Sequence, residues 1–234
     1  MTRFEFIEDL RRDYLVSSVL SEKENGTVLR LTHKSLQKPL ILRSYPAEVE
    51  AYSKIRYILH PNLPEIFDVI NLDDGQIVLE EFIDGITVAQ ILENGLFSFR
   101  GAKRIIEGVA AALDTLHDLC IVHRDIKPEN IIITSTGRVV LLDFNASRKF
   151  GSEKKTDTVI LGTIGYAPPE QFGISQSDPK SDVYALGVLL NVMLTGAHPS
   201  ERLCRGKAGR IVLRATQISP EKRFSSVKKL IEAL

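Results

Sequence analysis

Residues 122–133 read VHRDIKPENIII, and thirteen residues beyond Asn130 stands Asp143, in LLDFN (141–145). The stretch follows FRGAKRIIEGVAAALDTLHDL (99–119), where Ile105, Ile106, Val109, Leu113 and Leu116 recur on one helical face. It precedes NIIIT-STG-RVVLLDF, which reads as a hairpin turning at Ser135–Gly137. Helix, loop and hairpin in that order bring Asp125, Asn130 and Asp143 onto loops and strand ends around one point. Oxygen donors converging beside Lys127 suit Mg²⁺ and phosphate, because Mg²⁺ takes a few carboxylate or amide oxygens and keeps its other positions for water and phosphate. His123, taken alone, reads as a packed core histidine.

The bulk composition narrows the classes further. The chain has 234 residues, enough for one large domain or two small lobes with sizeable cores. Thirty basic and thirty acidic residues give zero formal net charge, so nothing global points to nucleic acid or an anionic membrane surface. Cys120 and Cys204 form no motif, and a reduced cytoplasmic setting is expected. MTRFEFIEDLRRD (1–13) is too acidic, and too poor in apolar residues, for a signal peptide. The longest apolar stretch, YALGVLLNVML (184–194), is far short of the roughly 20 residues that span a bilayer. A soluble globular chain is expected, with room for it to be one domain of a longer product.

Two textures divide the sequence. YLVSSVL (14–20), TVLRLTH (27–33), PLILRSY (39–45), EIFDVIN (65–71) and QIVLEEF (76–82) are strand-like runs, the last two split by Asp73-Asp74-Gly75. PAEVEAYSKIRYIL (46–59) reads as a helix with Pro46 in its first turn, stopped before Pro61. Beyond Gly85 the texture is helical. SDVYALGVLLNVML is apolar almost all round, as a buried helix is, with Ser181 the expected N-cap. SSVKKLIEAL (225–234) closes the chain as a short amphipathic helix.

On these motifs the chain resembles the eukaryotic-type serine/threonine protein kinases over nearly its whole length. The wording of GTIGYAPPEQFG (162–173) is similar to the bacterial members. The resemblance implies an α+β, bilobal protein-kinase-like fold: a small antiparallel β-rich N-lobe with one helix (about 10–82), a hinge (about 81–85) and a mainly helical C-lobe (about 86–234). It implies that Asp125 accepts the substrate hydroxyl proton, that Lys127 contacts the transferring phosphate, and that Asn130 and Asp143 hold Mg²⁺ (Mn²⁺ being an alternative) with ATP. By the same match Thr163 lies in the substrate-docking loop, Glu170 pairs with Arg223, and Asp182 anchors the catalytic-loop backbone. Read without the resemblance, Asp182 is a first-turn helix carboxylate, and Glu170 and Arg223 are solvated charges. Arg124 marks members whose activation segment is ordered by phosphorylation, for which Ser152, Thr156 and Thr158 are the candidates.

The N-terminal half departs from the pattern. LSEKENGTVLRL (20–31) aligns with the glycine-rich phosphate loop but keeps only Gly26, with Ser21 and Lys23 where the other glycines stand. Lost glycines stiffen such a cover and hinder the approach of backbone N–H groups to phosphate. Alone, EKENG reads as a hairpin turn. Nucleotide contacts are implied for Gly26, Val28, Glu81 and Ile83, and Lys23 is a candidate relocated phosphate lysine. Arg43 occupies the third-strand lysine position, and its planar fork does not replace a compact ammonium. Its helix partner by alignment is Glu50, then Glu48. A second partner is Glu80, at the gatekeeper position, where a bare carboxylate is costly to desolvate. Asn145 replaces the glycine of the second motif, and Asn tolerates the φ > 0 such a glycine supplies.

Three functions follow: a serine/threonine kinase acting on protein substrates, a pseudokinase or scaffold with weak nucleotide binding, and a small-molecule phosphotransferase of kinase-like fold. Lys127 and the GT…Y…PPE segment favour protein substrates over small molecules. Only residues 196–210 separate the helix ending near Thr195 from that beginning near Ile211, so the C-lobe reads as abbreviated. Neither the substrate nor the oligomeric state is legible.

Overall fold

Alternation of apolar and polar side chains builds the first half of the chain. The computed structural model describes residues 1–150, 165–168 and 178–234, and these separate into two compact units, 1–60 with 64–83 and 61–63 with 84–234.

In the first unit, β1 (Tyr14–Lys23), β2 (Gly26–His33), β3 (Pro39–Tyr45), β4 (Ile66–Leu72) and β5 (Gly75–Glu81) form one antiparallel sheet, ordered β1-β2-β3-β5-β4. Period-two alternation sends Leu29, Leu31, Leu40, Leu42 and Ile77 to one face. That face is covered by Phe6, Ile7 and Leu10 of a helix, α1 (Arg3–Leu10), which the sequence reading did not anticipate. Its signal is present as a capping box: Glu5 N–H donates to Thr2 Oγ1 at 3.2 Å and Thr2 N–H donates to Glu5 Oε2 at 2.7 Å. The helix is tied to the β4–β5 turn, where Arg3 N–H donates to Asp74 Oδ1 at 2.7 Å. Gly75 is required in that turn, because a Cβ there would lie 2.0 Å from the Tyr45 carbonyl oxygen.

The expected helix over 46–59 is α2, Glu50–Ile55 only, and Pro46 lies outside it. Its N-cap, Val49, has no side-chain acceptor to satisfy the first N–H groups, and its own N–H is held by Gln76 Oε1 at 3.2 Å. Tyr52 and Ile55 are its buried anchors, Tyr52 stacking on Tyr45 at 5.8 Å between ring centroids.

The second unit begins with β6 (Gly85–Thr87) and α3 (Val88–Asn94), a capped helix also absent from the sequence reading, with Thr87 and Gln90 as its box. Next comes α4 (Phe99–Asp118), capped by Ser98, with Ile105, Ile106, Val109, Leu113 and Leu116 all buried as their spacing predicts. β7 (Ile121–Val122) pairs with β10 (Arg148–Lys149); between them β8 (Ile131–Thr134) and β9 (Val139–Leu141) form the expected hairpin and join β6. α5 (Pro179–Thr195) is buried along most of its length. Its N-cap is Asp178, whose side chain accepts from Lys180 N–H at 2.7 Å with Pro179 at the first helical position, so Ser181 lies inside the helix. α6 (Gly206–Ala215) and α7 (Val227–Ala233) complete the unit.

The short α5–α6 connection is organised from within by one fully buried side chain. Asn191 Nδ2 donates to the carbonyls of Ala197 at 2.8 Å and Arg202 at 2.7 Å, and its Oδ1 accepts from Cys204 N–H at 2.8 Å. Three backbone polar groups of residues 196–205 are thereby satisfied without a helix. The described architecture is α+β, a five-stranded antiparallel unit and a largely helical one.

Candidate catalytic site

The 123–130 loop is positioned by a buried carboxylate in the first turn of α5. Asp182, fully buried, accepts from His123 N–H at 2.9 Å, Arg124 N–H at 2.9 Å and His117 Nε2 at 2.8 Å. Burial alone would raise its pKa; the hydrogen bond from His117, the charge His117 carries when protonated and the Arg124 N–H outweigh it and hold the carboxyl below the usual carboxylate range. Two backbone donors on one buried anion fix the path of the loop, and Arg124 is turned to φ 72° at that point.

His123 is packed where its spacing suggested. Its ring is wholly buried and meets Phe144 edge-on at 5.4 Å. Nε2 lies 3.2 Å from the Leu142 carbonyl, and Nδ1 accepts from Asp125 N–H at 3.3 Å. Those contacts select the neutral tautomer protonated at Nε2. Burial pushes its pKa down, against the pull of Asp182, Asp125 and Asp143. The ring therefore stitches the Asp125 loop to the strand end carrying Asp143, and Ser147 Oγ adds a bond to the His123 carbonyl at 3.3 Å.

Around Asp125 the charged groups close up. Lys127 Nζ lies 2.8 Å from Asp125 Oδ2, and Asn130 Nδ2 donates to the same oxygen at 2.9 Å and to the Asp125 carbonyl at 2.8 Å. Leu142 N–H donates to the Asn130 carbonyl at 2.8 Å, which sets Asp143 beside Asn130. With the Asn130 nitrogen turned to Asp125, its amide oxygen remains to ligate. That oxygen and the Asp143 carboxylate are hard donors, a set that fits Mg²⁺.

The backbone corrects one expectation. Among the last three residues of LLDFN the left-handed conformation belongs to Asp143, at φ 66°, and Asn145 has no positive φ. Asn145 N–H instead donates to Asp143 Oδ1 at 3.3 Å, an Asx turn in which its side chain costs no backbone strain.

The profile of the protein kinase domain family matches residues 16–232. The chain belongs to that family. It is 32% identical to the serine/threonine-protein kinase PrkC of Bacillus subtilis over 189 residues, 80% of this chain and 28% of that protein. It is 32% identical to the serine/threonine-protein kinase PknL of Mycobacterium tuberculosis over 199 residues, 80% of this chain and 50% of that protein. An Aurora kinase of Eremothecium gossypii is 30% identical over 239 residues, 95% of this chain and 64% of that protein. The chain spans between about a quarter and two thirds of the length of these relatives.

Within the first unit of this kinase domain, Arg43 and Glu80 project from neighbouring strands onto one face, since Ile41, two residues from Arg43, sits opposite Glu80 in the β3–β5 register. Arg43 Nε lies 2.7 Å from Glu80 Oε1, with both side chains buried. Glu50, the alternative partner, stands 55% exposed at the start of α2, 3.6 Å from Lys54. Glu48 precedes the helix. The β1–β2 connection is a two-residue turn, Glu24-Asn25, with Lys23 opposite Gly26. Lys23 is exposed there. A Cβ on Gly26 would meet the Tyr45 ring at 2.8 Å, so close packing onto β3 is one reason for this glycine. Val28 pairs with Arg43 across β2–β3, Glu81 accepts from Glu65 N–H at 3.2 Å, and Ile83 is buried.

Arg223 is buried against Tyr184 and donates to the carbonyls of Gln217, Lys180 and Ile218 at 2.7, 3.0 and 3.1 Å. Ser152, Thr156, Thr158, Thr163 and Glu170 lie outside the described residues. His117 and Ser147 were absent from the sequence reading. His117 falls in the last turn of α4, 65 residues from Asp182, and no spacing links the two.

Proposed function

We propose that this kinase domain transfers the γ-phosphoryl group of ATP to serine or threonine hydroxyls of protein substrates. The observation that carries the reading is the held carboxylate of Asp125, gripped by Lys127 and Asn130 on a loop tied to Asp182. A carboxylate fixed this way accepts a hydrogen bond from an incoming hydroxyl and takes its proton as the new O–P bond forms. Lys127 sets a positive charge beside that oxygen, where negative charge on a transferring phosphoryl group is stabilised. Asn130 and Asp143 would hold Mg²⁺, or Mn²⁺ in its place, and that ion when bound neutralises phosphate charge. The relatives named as serine/threonine-protein kinases support the acceptor class. Free Cys120 and Cys204 fit a cytoplasmic setting.

The test is γ-phosphate transfer to a generic protein substrate by the wild type, Asp125→Asn and Arg43→Lys. Asp125→Asn should lose about 10²–10⁴ in rate. Background signal in all three proteins would sink the enzyme reading. A large gain in Arg43→Lys would mean that the arginine attenuates an otherwise complete site.

A second reading, a scaffold that binds nucleotide weakly, draws support from the closed Glu24-Asn25 turn, whose flanking strands pair up to Lys23 and Gly26. Calorimetric titration with Mg-ATP separates the two, because absence of binding leaves only the scaffold.

A further inference from the structure

Cationic and apolar surfaces meet at the α5–α6 connection. A cavity of about 770 Å³ opens there, lined among others by Leu96, Phe99 and Leu203 and by Arg202, Arg205 and Lys207, with no acidic residue among the described residues of its wall. Leu96 and Phe99 are 55% and 40% exposed, a large apolar exposure for a concave surface. The charge is concentrated well beyond the average of the chain. From Arg202 to Ser219 there are five basic residues and no carboxylate, in a protein whose thirty basic and thirty acidic residues balance.

Internal contacts do not account for these cations. The Arg202 guanidinium makes a long bond of 3.3 Å to the Thr195 carbonyl, and Lys207 Nζ one of 3.2 Å to the Leu234 carbonyl. Among the described residues neither Arg202 nor Arg205 pairs with an Asp or Glu carboxylate. The loop is held instead by Asn191 through the backbone of Ala197, Arg202 and Cys204, so its shape does not depend on the Arg202 side chain. A concave site on a rigid loop, with apolar wall and one sign of charge, is built to receive a complementary chain.

We propose that this cavity docks an acidic segment of a partner protein, with a leucine or phenylalanine side chain seated against Leu96, Phe99 and Leu203 and carboxylates facing Arg202 and Arg205. Charge selects the segment and speeds its arrival; the apolar side chain holds it. The inference does not depend on phosphoryl transfer, and its test needs no activity.

A phage-displayed library of random 12-residue peptides, selected on the full chain, should return sequences that combine Asp or Glu with Leu or Phe. Fluorescein-labelled copies should bind saturably, with affinity reduced about tenfold or more by Arg202→Glu with Arg205→Glu and by Leu203→Asp. The melting temperature of the double charge-reversal variant should match the wild type, since Arg202 and Arg205 are exposed. Recovery of no peptides, of peptides without acidic residues, or of binders indifferent to the double charge reversal would overturn the proposal. So would retention on phosphatidylserine vesicles that the same reversal abolishes when no peptide is recovered, which would assign the charge to a membrane surface.

Discussion

Arg43 and Glu80 illustrate how two departures from a family pattern can be one event. Each alone would place an ionised group inside a β-sheet, where desolvation is costly; together they pair, Nε to Oε1, at 2.7 Å. Glu80→Leu, which leaves the buried guanidinium without this carboxylate, should cost about 3–5 kcal/mol in urea unfolding. Arg43→Met with Glu80→Leu should recover most of that loss, and an additive double variant would refute the coupling. His123 sets a second expectation. Its folded pKa lies below its ordinary 6.5, so the unfolded chain binds the extra proton first as pH falls. Its contribution is fully present above pH 6.5 and lost below, and His60, lowered by burial, carries the same sign. Asp182, also depressed, acts in a lower window, below the ordinary carboxylate value of 3.8. The melting temperature should thus fall as pH drops from about 7 to about 5. His123→Asn should melt lower at neutral pH but lose less over that interval; parallel curves would exclude His123 as the titrating group.

At the scale of elements, the α5–α6 connection depends on Asn191 more than on any regular structure. Asn191→Ala would leave the Arg202 carbonyl and the Cys204 N–H without their Asn191 partner and the Ala197 carbonyl with Thr195 Oγ1 alone, a loss on the order of 3 kcal/mol. Urea unfolding measures it, and a change under 1 kcal/mol would show that the loop is held elsewhere. The sequence disclosed the long elements well, because periodicity sums over many residues: the buried faces of α4 and α5 and all five strands are where their patterns fall. It failed where local signals are short or opposed. α1 and α3 each rest on a capping box and about two turns of chain, too little for periodicity. α2 was overestimated because helix formers at 46–59 say nothing of the missing cap or of Gln76, which holds Val49 from another strand.

For the molecule as a whole, the nearness of the candidate site residues was more legible than the contacts that hold them. Asp125, Lys127, Asn130 and Asp143 lie within 19 consecutive residues, and short spacing fixes proximity almost regardless of the fold. The groups that hold them do not share that property: His117 and Asp182 approach from opposite sides of the sequence. Neutral overall charge likewise concealed a strongly basic α6, since a sum carries no position. The loop that reads most plainly as functional is also the one tied most deeply. The amide protons of His123 and Arg124 end on a carboxylate with no solvent exposure, so their exchange with water should require that this buried contact open. In an isotope-exchange measurement those two protons should therefore keep time with the core rather than with the surface loops.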